Sequence, residues 1–215
     1  LRQFFGERAA LSPQIIERII GRAQGNPFYI EELLNYLQDR GIDPQDTRAL
    51  DQLDLPTSLH SLILTRIDQL TESQKVTLRV ASVIGRLFRA AALWGSFPQL
   101  IDQQRVVRDL DDLSRIELTL VDTEPELTYL FKHIVTQEGS YESLPYATRA
   151  MLHEQVAQYL ERAYASTLDQ YLDLLAFHYD RTPNDVKRRE YLQRAAEAAQ
   201  HDDANAAAID YYPSA

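Results

Sequence analysis

The stretch Tyr129-Leu130-Phe131-Lys132-His133-Ile134-Val135-Thr136-Gln137-Glu138-Gly139-Ser140-Tyr141 changes its period in the middle. Before His133, Leu127, Tyr129 and Phe131 alternate with Thr128, Leu130 and Lys132, the two-residue repeat of a strand. After it, Ile134, Val135, Glu138 and Tyr141 fall on one side of a helix. His133 therefore stands where a strand passes into a helix, at the helix's positive end, where free backbone N–H groups suit an anion. An imidazole in that place equally suits capping its own helix or packing into a core.

Upstream, Leu118 to Val121 reads as a second strand, and Asp122-Thr123-Glu124-Pro125-Glu126 as the turn that joins it to the strand from Leu127 to Lys132. A helix striped by Val106, Val107, Leu110 and Leu113 comes before this hairpin. Two more helices precede it. One follows Leu55-Pro56-Thr57-Ser58 with Leu59, Leu62, Ile63, Ile67 and Leu70 on one face; the other opens on the capping box Thr71-Glu72-Ser73-Gln74 and runs through Val76, Val80, Val83 and Ile84 to Gly85. A short helical turn is expected from Ala90 to Trp94. Helices followed by a β-hairpin make a winged helix. Arg66 lies inside an apolar stripe, and snorkelling to solvent is the expectation there, with a carboxylate partner as the alternative.

Towards the N-terminus, Ser12-Pro13 caps and starts a helix striped by Ile15, Ile16, Ile19, Ile20 and Ala23. Gly25 stops it, and Asn26-Pro27 starts the next, with Ile30, Leu33, Leu34 and Leu37 at helical spacing. A polar, acidic stretch from Asp39 to Asp54, holding Gly41 and Pro44, marks a boundary. Beyond Pro145 the chain reads as helical throughout. Leu152, Val156, Tyr159, Leu160 and Ala163 stripe one helix, and Leu168, Tyr171, Leu172, Leu175 and Tyr179 the next. After a break at Thr182-Pro183-Asn184 come Leu192, Ala195, Ala196 and Ala199. Ala208, Tyr212 and Ala215 then carry the small-and-aromatic spacing of a tetratricopeptide repeat. The expected fold is mainly α: helices at 1–52, a winged helix at 53–148 and the start of a helical arm at 149–215.

Composition narrows the chemistry. The 215 residues carry no cysteine, which removes thiol nucleophiles, disulfides and cysteine metal sites. No apolar run is long enough for a bilayer and the opening residues form no signal peptide, so no membrane partner and a cytoplasmic location are expected. The absence of an initiating Met suggests a piece of something longer. With 22 basic against 32 acidic residues the net charge is −10, unfavourable for gripping phosphodiesters, so no nucleic-acid partner is expected. Asp102, Asp109, Asp111 and Asp112 oppose it in the helix that would have to read DNA. No phosphate-cradling glycine loop occurs. His153-Glu154 lacks the second histidine of a zinc protease, His153 and His178 read as packed or half-exposed, and His60 and His201 as surface. Glu31-Glu32 and Asp111-Asp112 read as solvated faces. No catalytic residues and no metal site can be singled out.

Three stretches together resemble one family. Gly25-Asn26-Pro27-Phe28-Tyr29-Ile30-Glu31-Glu32-Leu33-Leu34 is similar to the lid-helix start of the signal-transducing STAND ATPases, relatives of the AAA ATPases. Leu55 to Leu59, Thr65 to Leu70 and Ala81 to Phe88 resemble the opening of their winged-helix domain. Tyr129 to His133, with Thr136-Gln137-Glu138, Tyr141 to Leu144, Arg149 and Leu152-His153, resembles its end. The form is most like bacterial members fused to class III adenylate or guanylate cyclase domains.

The resemblance implies an ATPase lid at 1–52 and an ADP or ATP cofactor whose P-loop lies outside this sequence. Pro27 would pack on adenine and His133 would reach the β-phosphate of ADP. Many plant and animal members carry an aspartate directly after that histidine, and here Ile134 stands instead. It further implies a regulatory, non-enzymatic chain that senses nucleotide and a protein partner or small-molecule inducer through the arm. The resemblance to the cyclase-fused members would make the controlled effector a nucleotidyl cyclase, with oligomerisation in the active state. A winged-helix DNA-binding regulator and a tetratricopeptide adaptor without a nucleotide role are the alternatives.

Overall fold

The computed structural model describes residues 17, 19–21, 23, 25–43, 46, 56–97, 100, 102–122 and 126–201. Expectations for Ser12 to Ile16, Pro44, Leu55, Thr123 to Pro125, the His201 side chain and Ala208 to Ala215 lie outside the described residues. The rest is mainly helical, with one small antiparallel sheet.

Gly25 adopts φ +80, a conformation that ends the helix containing Ile19 and Ala23. The Asn26 side chain then accepts from Phe28 N at 3.0 Å, and Pro27 takes the first position of α1 (Pro27–Asp39). The buried face of α1 is Tyr29, Glu32, Leu33, Tyr36 and Leu37, one position off the expected Ile30, Leu33, Leu34 and Leu37 stripe. Two tyrosines and a carboxylate displace two aliphatics; Tyr29 and Glu32 have polar partners inside, the Tyr29 hydroxyl donating to Pro56 O at 2.5 Å and Glu32 accepting from Arg66.

Helix α2 (Leu59–Asp68) starts on a reciprocal Ser58–Ser61 capping box, and α3 (Glu72–Ile84) on the expected Thr71–Gln74 box. Two cores meet at α2. Its Leu62 closes the cluster of Ile19, Ala23, Tyr29, Leu33, Tyr36 and Leu37, whereas Ile63 and Ile67 enter the larger core formed with the rest of the chain.

β1 (Leu87–Arg89) leads into α4 (Ala90–Ser96), and α5 (Gln103–Arg115) precedes β2 (Thr119–Asp122) and β3 (Thr128–Phe131). The strand order is β1-β3-β2, all antiparallel, with Phe88 opposite Tyr129 and Thr119 opposite Phe131. β3 is central and alternates half-buried with buried, and Tyr129 stacks on Phe88 with centroids 6.1 Å apart. Strand β1 was not anticipated: three residues are too few for a period to show, and the hairpin alone was expected.

Helix α6 (Ile134–Glu142) follows β3 through His133, as the change of period predicts. Its buried face is Thr136, Gly139 and Ser140, not Ile134, Val135, Glu138 and Tyr141. Ile134 and Glu138 are exposed. The small face lies against α2: a Cβ added at Gly139 would meet Leu64 at 3.4 Å. Room for the Leu64 side chain, and not apolar volume, accounts for this face. α7 (Tyr146–Ala163) is one helix, but the stripe beginning at Leu168 is divided. A 3₁₀ segment (Ala165–Tyr171), with Thr167 off helical geometry, turns into α8 (Leu172–Tyr179). α9 (Asp185–His201) follows Pro183 and packs on α8.

Candidate functional site

His133 has extended backbone (φ −123, ψ 141) and makes no side-chain cap to its own helix, so its ring is released towards α1. The Phe28 ring lies 5.1 Å from it, centroid to centroid. His133 Nε2 is 3.3 Å from Glu32 Oε1 and 3.9 Å from Glu31 Oε2, with the side chain only 12% exposed. The 3.3 Å contact is close enough for an ion pair but lacks hydrogen-bond direction, and both atoms are buried without a directed partner. Pro27, the other expected site residue, is exposed at the start of α1. The structure thus brings His133 to the first turns of the helix that Pro27 opens, with Phe28 making the ring contact.

Around that contact lies a charge network. Arg66 is buried, correcting the expectation that it snorkels: it pairs with Glu32, binds Asp39 at 2.9 Å and donates to Ile116 O at 2.5 Å. The Arg66 and Glu32 side chains are 0% and 1% exposed. Glu32 is therefore no solvated carboxylate, against the sequence reading of Glu31-Glu32. Adjacent acids face different directions on a helix, and here one points at solvent's edge and the other into the seam between α1 and α2. Lys132 bridges Glu31 at 2.6 Å and Glu117, which also accepts from Asn35 Nδ2 at 3.3 Å. The hydrogen bond from Lys132 holds the Glu117 carboxyl below its usual range. Burial alone would lower the Lys132 ammonium, but its bonds to Glu117 and Glu31 raise it. Glu117 reaches this place from a left-handed backbone, φ 59, rare for a side chain with a Cβ.

Asp109 on α5 is likewise buried, accepting from Thr77 Oγ1 at 3.0 Å and Ser73 Oγ at 2.5 Å. It ties α5 to α3 and contributes no surface charge, which corrects its reading as part of an acidic outer face. Asp111 accepts from the Tyr129 hydroxyl at 3.2 Å; burial, and then Asp111, pushes that phenol up to about 12.

A second polar chain runs from α6 through α7 to α8. The Tyr141 hydroxyl is 3.0 Å from His153 Nε2, and His153 Nδ1 is 2.8 Å from His178 Nδ1. Both histidines are buried, as packed residues, but their pairing across 25 positions left no mark in the sequence. Burial, then the Arg181 and Arg149 charges, lowers His153 to about 4; burial, then His153 and Arg181, lowers His178 to about 3. The pair is neutral at pH 7. One ring donates and the other accepts, leaving His178 Nε2 buried with no partner. No group of three or more metal-ligating side chains occurs among the described residues.

Searches against protein-family models, curated proteins and solved structures return no match. No helix among the described residues is long and apolar enough to cross a membrane.

Proposed function

We propose that this chain is the regulatory part of a STAND-type ATPase: an ATPase lid at 1–52, a winged-helix unit at 53–148 that includes the three-stranded sheet, and the first helices of a tetratricopeptide-like arm. It senses ADP or ATP, whose phosphate cradle is supplied by another segment, and passes the result to an effector. The observation that carries the reading is the meeting of His133 with the helix that Pro27 opens. These are the two places at which the resemblance puts nucleotide contacts, and about a hundred residues of sequence separate them.

Charge qualifies how the site would work. Among the described residues, the carboxylates Glu31, Glu32, Asp39 and Glu117 meet the permanent cations Arg66 and Lys132 beside the His133 ring, so carboxylates outnumber permanent cations around it. A β-phosphate and the Glu31/Glu32 pair are competing partners for one ring. Nucleotide binding at His133 then requires α1 to shift, which makes lid position and nucleotide state one equilibrium. The chain itself performs no hydrolysis in this reading.

The test uses the chain extended upstream to include its phosphate-binding segment. His133→Ala is expected to speed ADP release by roughly tenfold to a hundredfold, the worth of one hydrogen bond to a charged group. An off-rate unchanged in a variant of unaltered melting temperature overturns the sensor role.

A further inference from the structure

Between α3, α6 and α8 lies a cleft of about 380 Å³, in the size range of small-molecule sites. Val83, Tyr141 and His153 line it, and Phe177 and Ile134 stand beside them. Phe177 is 44% and Ile134 46% exposed, so two large apolar side chains of the cleft remain wet. Two charges complete the lining: Glu138 from α6 and Arg181 just beyond α8. The Arg181 guanidinium lies 3.7 Å from the Phe177 ring centroid and spends one N–H on Phe177 O at 2.9 Å. A guanidinium has five N–H donors, so most stay available. His153 adds no charge, since burial and the nearby arginines keep it neutral.

We propose that this cleft binds a small zwitterionic aromatic molecule, with the chemistry of an aromatic amino acid. The planar ring enters among Tyr141, Phe177 and Val83, its carboxylate pairs with Arg181, and its ammonium with Glu138. A purely anionic ligand would meet Glu138, and a purely cationic one Arg181; one charge of each sign matches a zwitterion. Because α8 supplies Phe177 and α6 supplies Glu138, an occupant joins the C-terminal helices to the sheet-bearing unit. The Tyr141–His153–His178 chain forms the wall behind it and reports occupancy.

Calorimetry of this chain with L-phenylalanine, L-tyrosine and L-tryptophan is the test, alongside 3-phenylpropionate and phenethylamine, each of which lacks one charge. Binding by at least one amino acid at about 1 mM or tighter is expected, with the single-charge analogues roughly tenfold weaker. Ligand addition should also move the imidazole nitrogen resonances of His153 and His178. Arg181→Met and Glu138→Gln, both at exposed positions, should each weaken binding about tenfold while the melting temperature holds. Absence of binding up to about 10 mM overturns the proposal, as does binding that neither variant weakens.

Discussion

Replacing Arg66 by methionine removes a guanidinium but keeps most of its apolar length. It strands the Glu32 carboxylate, whose side chain is 1% exposed, leaving the undirected His133 imidazole at 3.3 Å as its remaining polar neighbour among the described residues. Ile116 O loses its donor at the same time. Breaking a buried pair from one side costs about 3–5 kcal/mol, a large share of the roughly 5–15 kcal/mol that holds a domain folded. Asp39, which is partly solvated, adds little to the loss. If the cost comes from the stranded charge, removing that charge must restore stability. Glu32→Leu combined with Arg66→Met should therefore be close to the parent, whereas each single change is severe. Urea unfolding of the four proteins followed by far-ultraviolet circular dichroism gives the coupling, expected at about 3 kcal/mol or more. A single Arg66→Met loss under about 1 kcal/mol, or a double variant as unstable as the two losses added, would refute the account.

Acid should loosen the C-terminal helices before it protonates most carboxylates. The folded pKa values of His153 and His178, about 4 and about 3, lie below the ordinary histidine value of 6.5, so the unfolded chain binds more protons. Their contribution is present above pH 6.5 and is lost as pH falls towards 4, by about 2 kcal/mol per histidine between pH 7 and pH 5. Urea midpoints that do not fall over that interval would contradict it. Gly95→Ala should destabilise by about 1–3 kcal/mol despite the better helix propensity of alanine, because its Cβ would lie 2.2 Å from the Tyr159 ring. Trimming the ring in Gly95→Ala/Tyr159→Leu should recover part of that loss in thermal melts; a tolerated single change would show that the ring moves freely.

Wherever local chemistry decided the outcome, the sequence was readable. Asn26-Pro27 and Thr71 to Gln74 start helices as written, and the switch of period at His133 places the end of β3 and the start of α6. Helix faces were harder, because polar residues with distant partners look like surface. Glu32, Arg66 and Asp109 are buried only because Arg66, Glu32 and the Ser73–Thr77 hydroxyls respectively await them. The small face of α6 was missed for a related reason: glycine and serine carry no apolar signal, yet they leave room for Leu64 of α2. The His153–His178 pair joins helices 25 residues apart, and no period encodes such a meeting.

Glu32 belongs to two arrangements at once, and that makes the seam switch-like. One oxygen pairs with Arg66 of α2 and the other faces His133 beyond β3, so a single carboxylate of α1 meets both α2 and the end of the sheet. On the proposed reading, an anion reaching His133 would have to push that carboxylate away, and the carboxylate could not withdraw gradually. A small retreat leaves Arg66 and Glu32 both buried and unpaired, the costliest state open to them. Either α1 stays docked with both contacts, or it leaves far enough for water to reach both charges. Intermediate positions are disfavoured by the same buried charges that stabilise the docked one. On the proposed reading, a lid connected in this way would have two favoured positions, and a ligand with a preference of a few kcal/mol for either would select between them.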